Sequence, residues 1–176
     1  MNWYKKSNYI TAQTGLTQEQ MNDKLKRIIQ NSSFFQKLFE EYNIPMEKIN
    51  SDLTFLAKNL GKRYAQGNGK YIFINSKLFN DGDFFDEKLH YVAHELVHWL
   101  TRQKEKNFYM ADPEEVESFS FGMAYEMLRG KNKDEIEEVF EPILRPHFKD
   151  EMNFEKLFKA LLEKATFIAE KYGSKE

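Results

Sequence analysis

Three residues near the middle of the chain have the types and the spacing of a metal-dependent hydrolytic site. His94 and His98 are four residues apart, with Glu95 beside the first, in the pattern H-E-x-x-H. In an α-helix such a spacing puts two side chains one turn and about 40° apart, so both imidazoles would point the same way. Neutral imidazoles on one face can bind one Zn²⁺ at about 2.0–2.1 Å each. Glu95 lies about 100° away, where its carboxylate can accept a proton from a metal-activated water.

The motif needs a helix to position it, and the surrounding residues predict one. Apolar residues recur at helical spacing from Phe84 to about Gln103, with the histidines in the middle of the run. A strand is predicted at residues 71–74, shortly before this helix, because the segment YIFI is rich in aromatic and β-branched residues. His90 extends the histidine row by one turn, and we expect it to be a half-exposed helix residue.

The third metal ligand has several candidates. A catalytic zinc normally has three protein ligands and one open position. The longer motif H-E-x-x-H-x-x-G-x-x-H is not completed, since Thr101 and Lys104 occupy its glycine and third-histidine positions, and with 0 cysteines no thiolate is available. The acidic segment DPEEVESFSFG offers carboxylates at Asp112, Glu114, Glu115 and Glu117. The same acidic residues also suit the first turn of a helix, with Asp112 as N-cap and Glu115 closing a capping box.

The rest of the chain predicts a mostly helical α+β fold with a small β-sheet, in a single domain over residues 1–176. Polar and aromatic residues 1–16 are predicted to form a loosely docked arm. The segment LTFLAKNL fits either a strand or a short helix, and a Gly-Asn-Gly turn at 67–69 precedes the strand at 71–74. The further predicted helices cover about 18–42, from Asp112 to near Gly130, about 136–144 with a kink at Pro142, and 151–172, the last packing on the core.

The composition excludes several classes of partner. Lys+Arg 26 against Asp+Glu 28 leaves a net charge of -2, which gives no whole-chain electrostatic case for nucleic acid or an anionic membrane. No window approaches the roughly 18 apolar residues of a membrane span. The N-terminal segment has no apolar run typical of a secretory signal, and the chain has 0 cysteines. We therefore expect a cytoplasmic protein.

Two motifs together resemble a known family. HELVH, followed 17 residues later by a helix with an E-x-x-small pattern, is similar to the gluzincin-type zinc metallopeptidases. The segment EVESFSFG, which begins at Glu115, resembles the E-x-x-A-x-x-F-A pattern of the ImmA/IrrE-type branch. The resemblance covers about residues 70–130. It implies a zincin-like fold in which Glu115 is the third zinc ligand, with Glu117 as its competitor. One departure is Phe119, because these families often have Asp or Asn at that position.

The motif and the resemblance together predict zinc-dependent hydrolysis of a peptide or protein substrate. His94 and His98 would bind the metal, and Glu95 would act as general base. Tyr109, Tyr125 and His147 are the candidates for stabilising the oxyanion. Two alternatives stay open: a zinc-binding regulatory or interaction module with a peptidase-like fold and little turnover, and a metal-free helical protein.

Overall fold

The computed structural model describes residues 15–79, 84–104, 112–148 and 150–173. In these ranges the fold is mostly helical α+β with one three-stranded sheet, which confirms the predicted fold class. The chain divides into two compact units, Met1–Phe108 and Tyr109–Glu176, and the single domain stays a prediction. None of the helices in the described ranges has the length and apolarity needed to cross a membrane. Most of the arm predicted at residues 1–16 lies outside the described residues, as do residues 80–83 and 105–111.

The first unit contains five α-helices and the sheet among its described residues. Its elements in chain order are α1 (Gln18–Asn31), α2 (Ser33–Glu41), α3 (Lys48–Asp52), β1 (Thr54–Lys58), β2 (Ala65–Asn68), β3 (Tyr71–Asn75), a 3₁₀ helix (Ser76–Phe79), α4 (Phe84–Glu87) and α5 (Leu89–Lys104). The predicted helical segment at 18–42 is thus two helices, with Ser32 extended between them. A capping box starts α1, in which Thr17 and Gln20 exchange two hydrogen bonds of 2.8 and 3.1 Å.

The sheet has the strand order β1-β3-β2. β1 runs parallel to β3, whereas β2 and β3 form an antiparallel hairpin. The segment LTFLAKNL is therefore a strand rather than a helix. The hairpin turn differs from the prediction, because Gly67 and Asn68 lie within β2 and the turn falls at Gly69 and Lys70. Gly69 has φ 58, a left-handed conformation that a glycine adopts at little cost.

Side chains of α1 close the outer edge of β1. The Gln18 amide donates to the carbonyl of Phe55 and accepts from the backbone N–H of Ala57, both at 3.1 Å. The N–H of Phe55 donates to Oδ1 of Asn22 at 2.9 Å. These amides satisfy backbone groups that a neighbouring strand would otherwise pair. β2 forms the opposite edge of the sheet.

The helix that carries the histidine motif packs against β2 and β3. The prediction of one continuous helix at 84–103 is wrong, since α4 ends at Glu87 and α5 begins at Leu89, with Lys88 between them. Phe84 and Phe85 are buried in α4, so the short helix anchors the start of α5 through its aromatic pair. All six residues from 95 to 100 are buried.

The second unit is helical throughout its described residues. Its elements are α6 (Asp112–Leu128), α7 (Lys133–Leu144), a 3₁₀ helix (Arg145–His147) and α8 (Glu151–Gly173). Gly130, with φ 99, follows the end of α6 as expected. Pro142 lies in the last turn of α7. α8 packs along α6, which confirms its predicted core role, and it buries Phe154, Phe158, Leu161, Leu162, Ala165, Ile168 and Tyr172.

Asn75, at the end of β3, holds the loop between β1 and β2. Its side chain is buried, and Nδ2 donates to the carbonyls of Gly61 at 3.2 Å and Arg63 at 2.6 Å. Oδ1 accepts from the N–H of Lys77 at 3.1 Å. The backbone N–H of Asn75 also donates to the carbonyl of Tyr64, at 2.8 Å. One buried amide therefore fixes two chain segments at this end of the sheet.

We predict that Asn75→Ala lowers the free energy of unfolding by about 2–3 kcal/mol, because it removes three part-buried hydrogen bonds. Urea denaturation followed by circular dichroism measures the change. Asn68→Ala, at an exposed position of β2, is the matched control and should stay within about 0.5 kcal/mol of the parent. Equal losses in the two variants would contradict the proposed role of Asn75.

Candidate metal centre

The predicted H-E-x-x-H residues lie in the middle of α5, on a helix that is held on most of its circumference. Leu96, Val97 and Leu100 are fully buried around the motif. His98 and Glu95 are also buried, at 4% and 8% exposure, whereas His94 is half-buried. Packing of the apolar residues therefore fixes the rotation of the helix about its axis, and this rotation determines where the side chains of His94 and His98 point.

The two imidazoles converge on one point. Nε2 of His94 and Nε2 of His98 are 3.1 Å apart, and the ring planes are inclined at 69°. Two ligands of one tetrahedral ion with bonds of 2.0–2.1 Å are about 3.3–3.4 Å apart, so the observed separation is close to that of a shared metal. The same distance also fits a hydrogen bond between the two rings, with the donor set by the tautomer. In the tautomer that leaves both Nε2 atoms unprotonated, the two nitrogens repel each other and a cation bound to both removes the repulsion. The pair therefore fits a divalent metal.

Glu95 lies against the backbone of β2 at Gly67. A Cβ atom added to Gly67 would be 3.1 Å from Oε2 of Glu95 and 3.5 Å from Nη1 of Arg102. Gly67 therefore leaves the space that the Glu95 carboxylate occupies. The Gly-Asn-Gly pattern predicts Gly67 in the turn, and no motif marks Arg102. The signal that could have identified Gly67 is a glycine inside a strand pattern, which often marks a close approach to the backbone.

His90 differs from its prediction. It is predicted to be half-exposed, yet His90 is only 3% exposed, and its ring contacts that of Tyr91 with centroids 4.2 Å apart. Tyr91 in turn stacks on Tyr64 at 4.8 Å, with the rings 11° from parallel. Burial, with a smaller contribution from Tyr64, raises the pKa of Tyr91 above its ordinary value. The aromatic stack joins the start of β2 to the first half of α5.

The predicted carboxylate ligands belong to α6, in the second unit. Glu115 and Glu117 are both half-buried. They are two residues apart on a helix, hence about 200° around its axis, so their side chains leave opposite faces and only one can serve a given site. Phe119, one turn after Glu115, is half-buried and offers no polar partner from its ring. The side chains of Asp112 and Glu114 lie outside the described part of the chain.

The two described candidates for stabilising an oxyanion, Tyr125 and His147, lie in different helices and differ in their exposure. Tyr125 is buried in α6, ten residues after Glu115, which is about 15 Å along the helix axis. The guanidinium carbon of Arg129 lies 5.8 Å from the centroid of the Tyr125 ring. His147 is exposed in the 3₁₀ helix, and Tyr109 is outside the described residues. Neither described position identifies a residue that would stabilise an oxyanion.

We predict that Gly67→Val lowers the free energy of unfolding by about 1–3 kcal/mol, because the new side chain would push the Glu95 carboxylate away. β-propensity alone favours valine over glycine in a strand by up to about 1 kcal/mol, which is the opposite sign. Asn68→Val, at the neighbouring exposed strand position, is the control and should be neutral or stabilising. Thermal and urea unfolding measure both, and stabilisation by Gly67→Val would contradict the close approach.

Known proteins do not assign this site. Comparison of the chain with protein-family models, with curated proteins and with solved structures finds no match. The likeness to the gluzincin-type peptidases therefore remains a resemblance, carried by residues 94–98 and 115–122. What the site does has to be argued from the geometry and the chemistry of the residues themselves.

Proposed function

We propose that the protein is a zinc-dependent metallopeptidase. The observation that carries the proposal is the 3.1 Å separation of the His94 and His98 Nε2 atoms beside the buried Glu95. With Glu115, the histidines provide two imidazoles and one carboxylate, a donor set that could hold a metal ion. Zinc is the ion we propose, because two histidines and one glutamate are a common catalytic zinc set that leaves a fourth position open.

Glu115, rather than Glu117, is the third ligand in this proposal. Support comes from the segment EVESFSFG, in which Glu115 takes the first position of the resembled E-x-x-small pattern. Ser118, at the small position, is fully buried, as expected for a residue on the packed side of a helix. Since Glu115 and Glu117 leave opposite faces of α6, substitution of each one separately distinguishes them.

The chain itself would supply the proton transfer. A bound Zn²⁺ provides Lewis-acid chemistry, which lowers the pKa of a water and polarises a scissile carbonyl. Glu95 would take the proton from the attacking water and deliver it to the leaving amine. Because Glu95 is buried and lies against Gly67, its carboxylate is held in one position before substrate binds, which reduces the entropic cost of the step.

A peptide is the substrate class that the sheet favours. β2 forms an edge of the sheet, and its Gly67 lies against Glu95. An edge strand can bind an extended peptide through backbone hydrogen bonds, in the manner of an added strand. We propose that a peptide or a segment of a protein binds along β2 and so brings one of its bonds to the metal centre.

The cytoplasm is the compartment that belongs to this proposal. A chain of 176 residues with 0 cysteines cannot be stabilised by disulfides, which are typical of small secreted proteins. The metal site would likewise consist only of nitrogen and oxygen ligands. Both properties are compatible with a reducing compartment.

We predict that the purified protein binds one equivalent of Zn²⁺ at neutral pH. His94→Ala and His98→Ala should each weaken zinc binding by at least about 100-fold. Loss of a group that only hydrogen-bonds to a ligand costs about 10- to 100-fold in metal affinity, and loss of the ligand itself should cost at least as much as the upper value. Glu115→Gln should weaken it as well, and Glu117→Gln should not. Competition with a chromophoric chelator measures the affinity, and elemental analysis measures the stoichiometry.

His147→Ala is the matched control for the histidine variants, since His147 is exposed in the 3₁₀ helix. It should bind zinc like the parent. Zinc binding that is insensitive to His94 and His98 would contradict the site. A loss with Glu117→Gln instead of Glu115→Gln would reassign the third ligand and leave the histidine pair in place.

We predict that Glu95→Gln retains zinc but lowers kcat on a cleaved peptide by about 10²- to 10⁴-fold, the usual contribution of a general base. A library of quenched fluorescent peptides identifies the substrate. Glu87→Gln, an exposed glutamate of α4, is the control and should retain parental activity. Full activity of Glu95→Gln would exclude Glu95 as the base, whereas one equivalent of zinc without any cleavage by the parent would favour the interaction-module alternative.

A further inference from the structure

The charged residues of the sheet region all have one sign. Residues 53–79 contain five charged side chains, all of them basic, in a chain of net charge -2, so the other residues together carry a net charge of -7. All five are exposed. The five residues are Lys58, Lys62, Arg63, Lys70 and Lys77. The sheet therefore carries a positive charge that the whole-chain balance conceals.

Four of these residues belong to one end of the sheet, which we call the basic end: Lys58, Lys62, Arg63 and Lys77. Lys58 is the register partner of Asn75. The buried Asn75 amide binds the backbone on both sides of Lys62, at Gly61 and at Arg63, and also the backbone of Lys77. The positions of the four cations are thus set by one rigid hydrogen-bonded junction.

No ion pair with a described residue neutralises the basic end, since the ion pairs of the described chain involve other cations. The Lys58 ammonium lies over the ring of Phe73, 5.0 Å from the ring centroid. The ring has no net charge, so this contact does not neutralise the lysine. Four exposed cations that form no ion pair among the described residues produce a positive potential that attracts an anionic partner.

The basic end lies where β2 begins, a few residues along this strand from the contact between Gly67 and Glu95. β2 runs from this end, starting next to Tyr64, to Gly67, which lies against Glu95. Arg63 is four residues before Gly67, which is about 13 Å in an extended chain. A peptide paired with β2 and centred on Glu95 would therefore present side chains three to five residues away to the basic end.

We propose that the basic end binds acidic side chains of the peptide substrate, about three to five residues from the cleaved bond, and so selects acidic peptides. The inference rests on the proposed function of the site. A peptide fits better than a nucleic acid because β2 offers backbone hydrogen-bonding groups to it. In addition, four cations suit a short anionic segment, whereas a long polyanion would meet the net negative remainder of the chain.

The test uses the zinc-loaded full chain with Glu95→Gln, so that peptides are bound without being cleaved. Three fluorescein-labelled peptides share one β-prone half and end in four glutamates, four serines or four lysines. Fluorescence anisotropy should show the glutamate peptide binding about tenfold more tightly than the serine peptide, since each exposed ion pair adds a modest factor. The preference should fall as the salt concentration rises.

Charge reversal gives the decisive comparison. The double variant Lys62→Glu and Arg63→Glu should abolish the preference for glutamate. The matched control, Lys156→Glu and Lys164→Glu on exposed positions of α8, should retain it. Four outcomes would each overturn the proposal. Two concern the peptides: equal binding of all three, or no binding at millimolar concentration. The other two are equal effects of the two double variants, and tighter binding of a labelled oligothymidylate through Lys62 and Arg63.

The outcomes separate this inference from the proposed function. Preference for the glutamate peptide in a chain that binds no zinc and cleaves nothing would support the basic end and contradict the metallopeptidase. Zinc-dependent cleavage with no acidic preference would support the metallopeptidase and overturn the inference about its substrate.

Discussion

The close contact between helix α5 and strand β2 at Gly67 is the constraint on which the candidate centre depends. A Cβ atom at Gly67 would lie 3.1 Å from Oε2 of Glu95, so the carboxylate would have to shift by a few tenths of an ångström from its present position. The buried residues on either side of Glu95 fix the rotation of α5. With the rotation fixed, the Nε2 atoms of His94 and His98 lie 3.1 Å apart, which is the arrangement on which the proposed metal site rests.

The two edges of the sheet differ, and the candidate centre lies beside only one of them. Amides of Gln18 and Asn22 close the edge at β1, and β2 forms the opposite edge beside Glu95. The basic end adds a positive potential where β2 begins, organised by the buried Asn75. One strand thus borders both the proposed chemistry and the proposed selectivity, and its basic end shows that an almost balanced whole-chain charge can conceal a local cluster of one sign.

Much of the fold followed from local patterns. Apolar periodicity predicted both the helical segment that starts near residue 18 and the buried face of α8 at 151–172, because helical faces depend on residues within a few turns. The interruption at Lys88 was missed, since the apolar pattern continues across it. The turn was placed two residues early because two glycines competed for it, and only Gly69 takes the left-handed conformation.

The sequence by itself determined that His94 and His98 share a helix face with Glu95 beside them, because the backbone hydrogen bonds of a helix fix where residues four apart point. It also determined that any metal ligands would be nitrogen and oxygen atoms, since the chain has 0 cysteines. Only the tertiary structure decided that β1 pairs with β3, that His90 is buried and that Gly67 makes room for Glu95. These contacts join segments far apart in the chain, and their packing leaves no pattern within either segment alone.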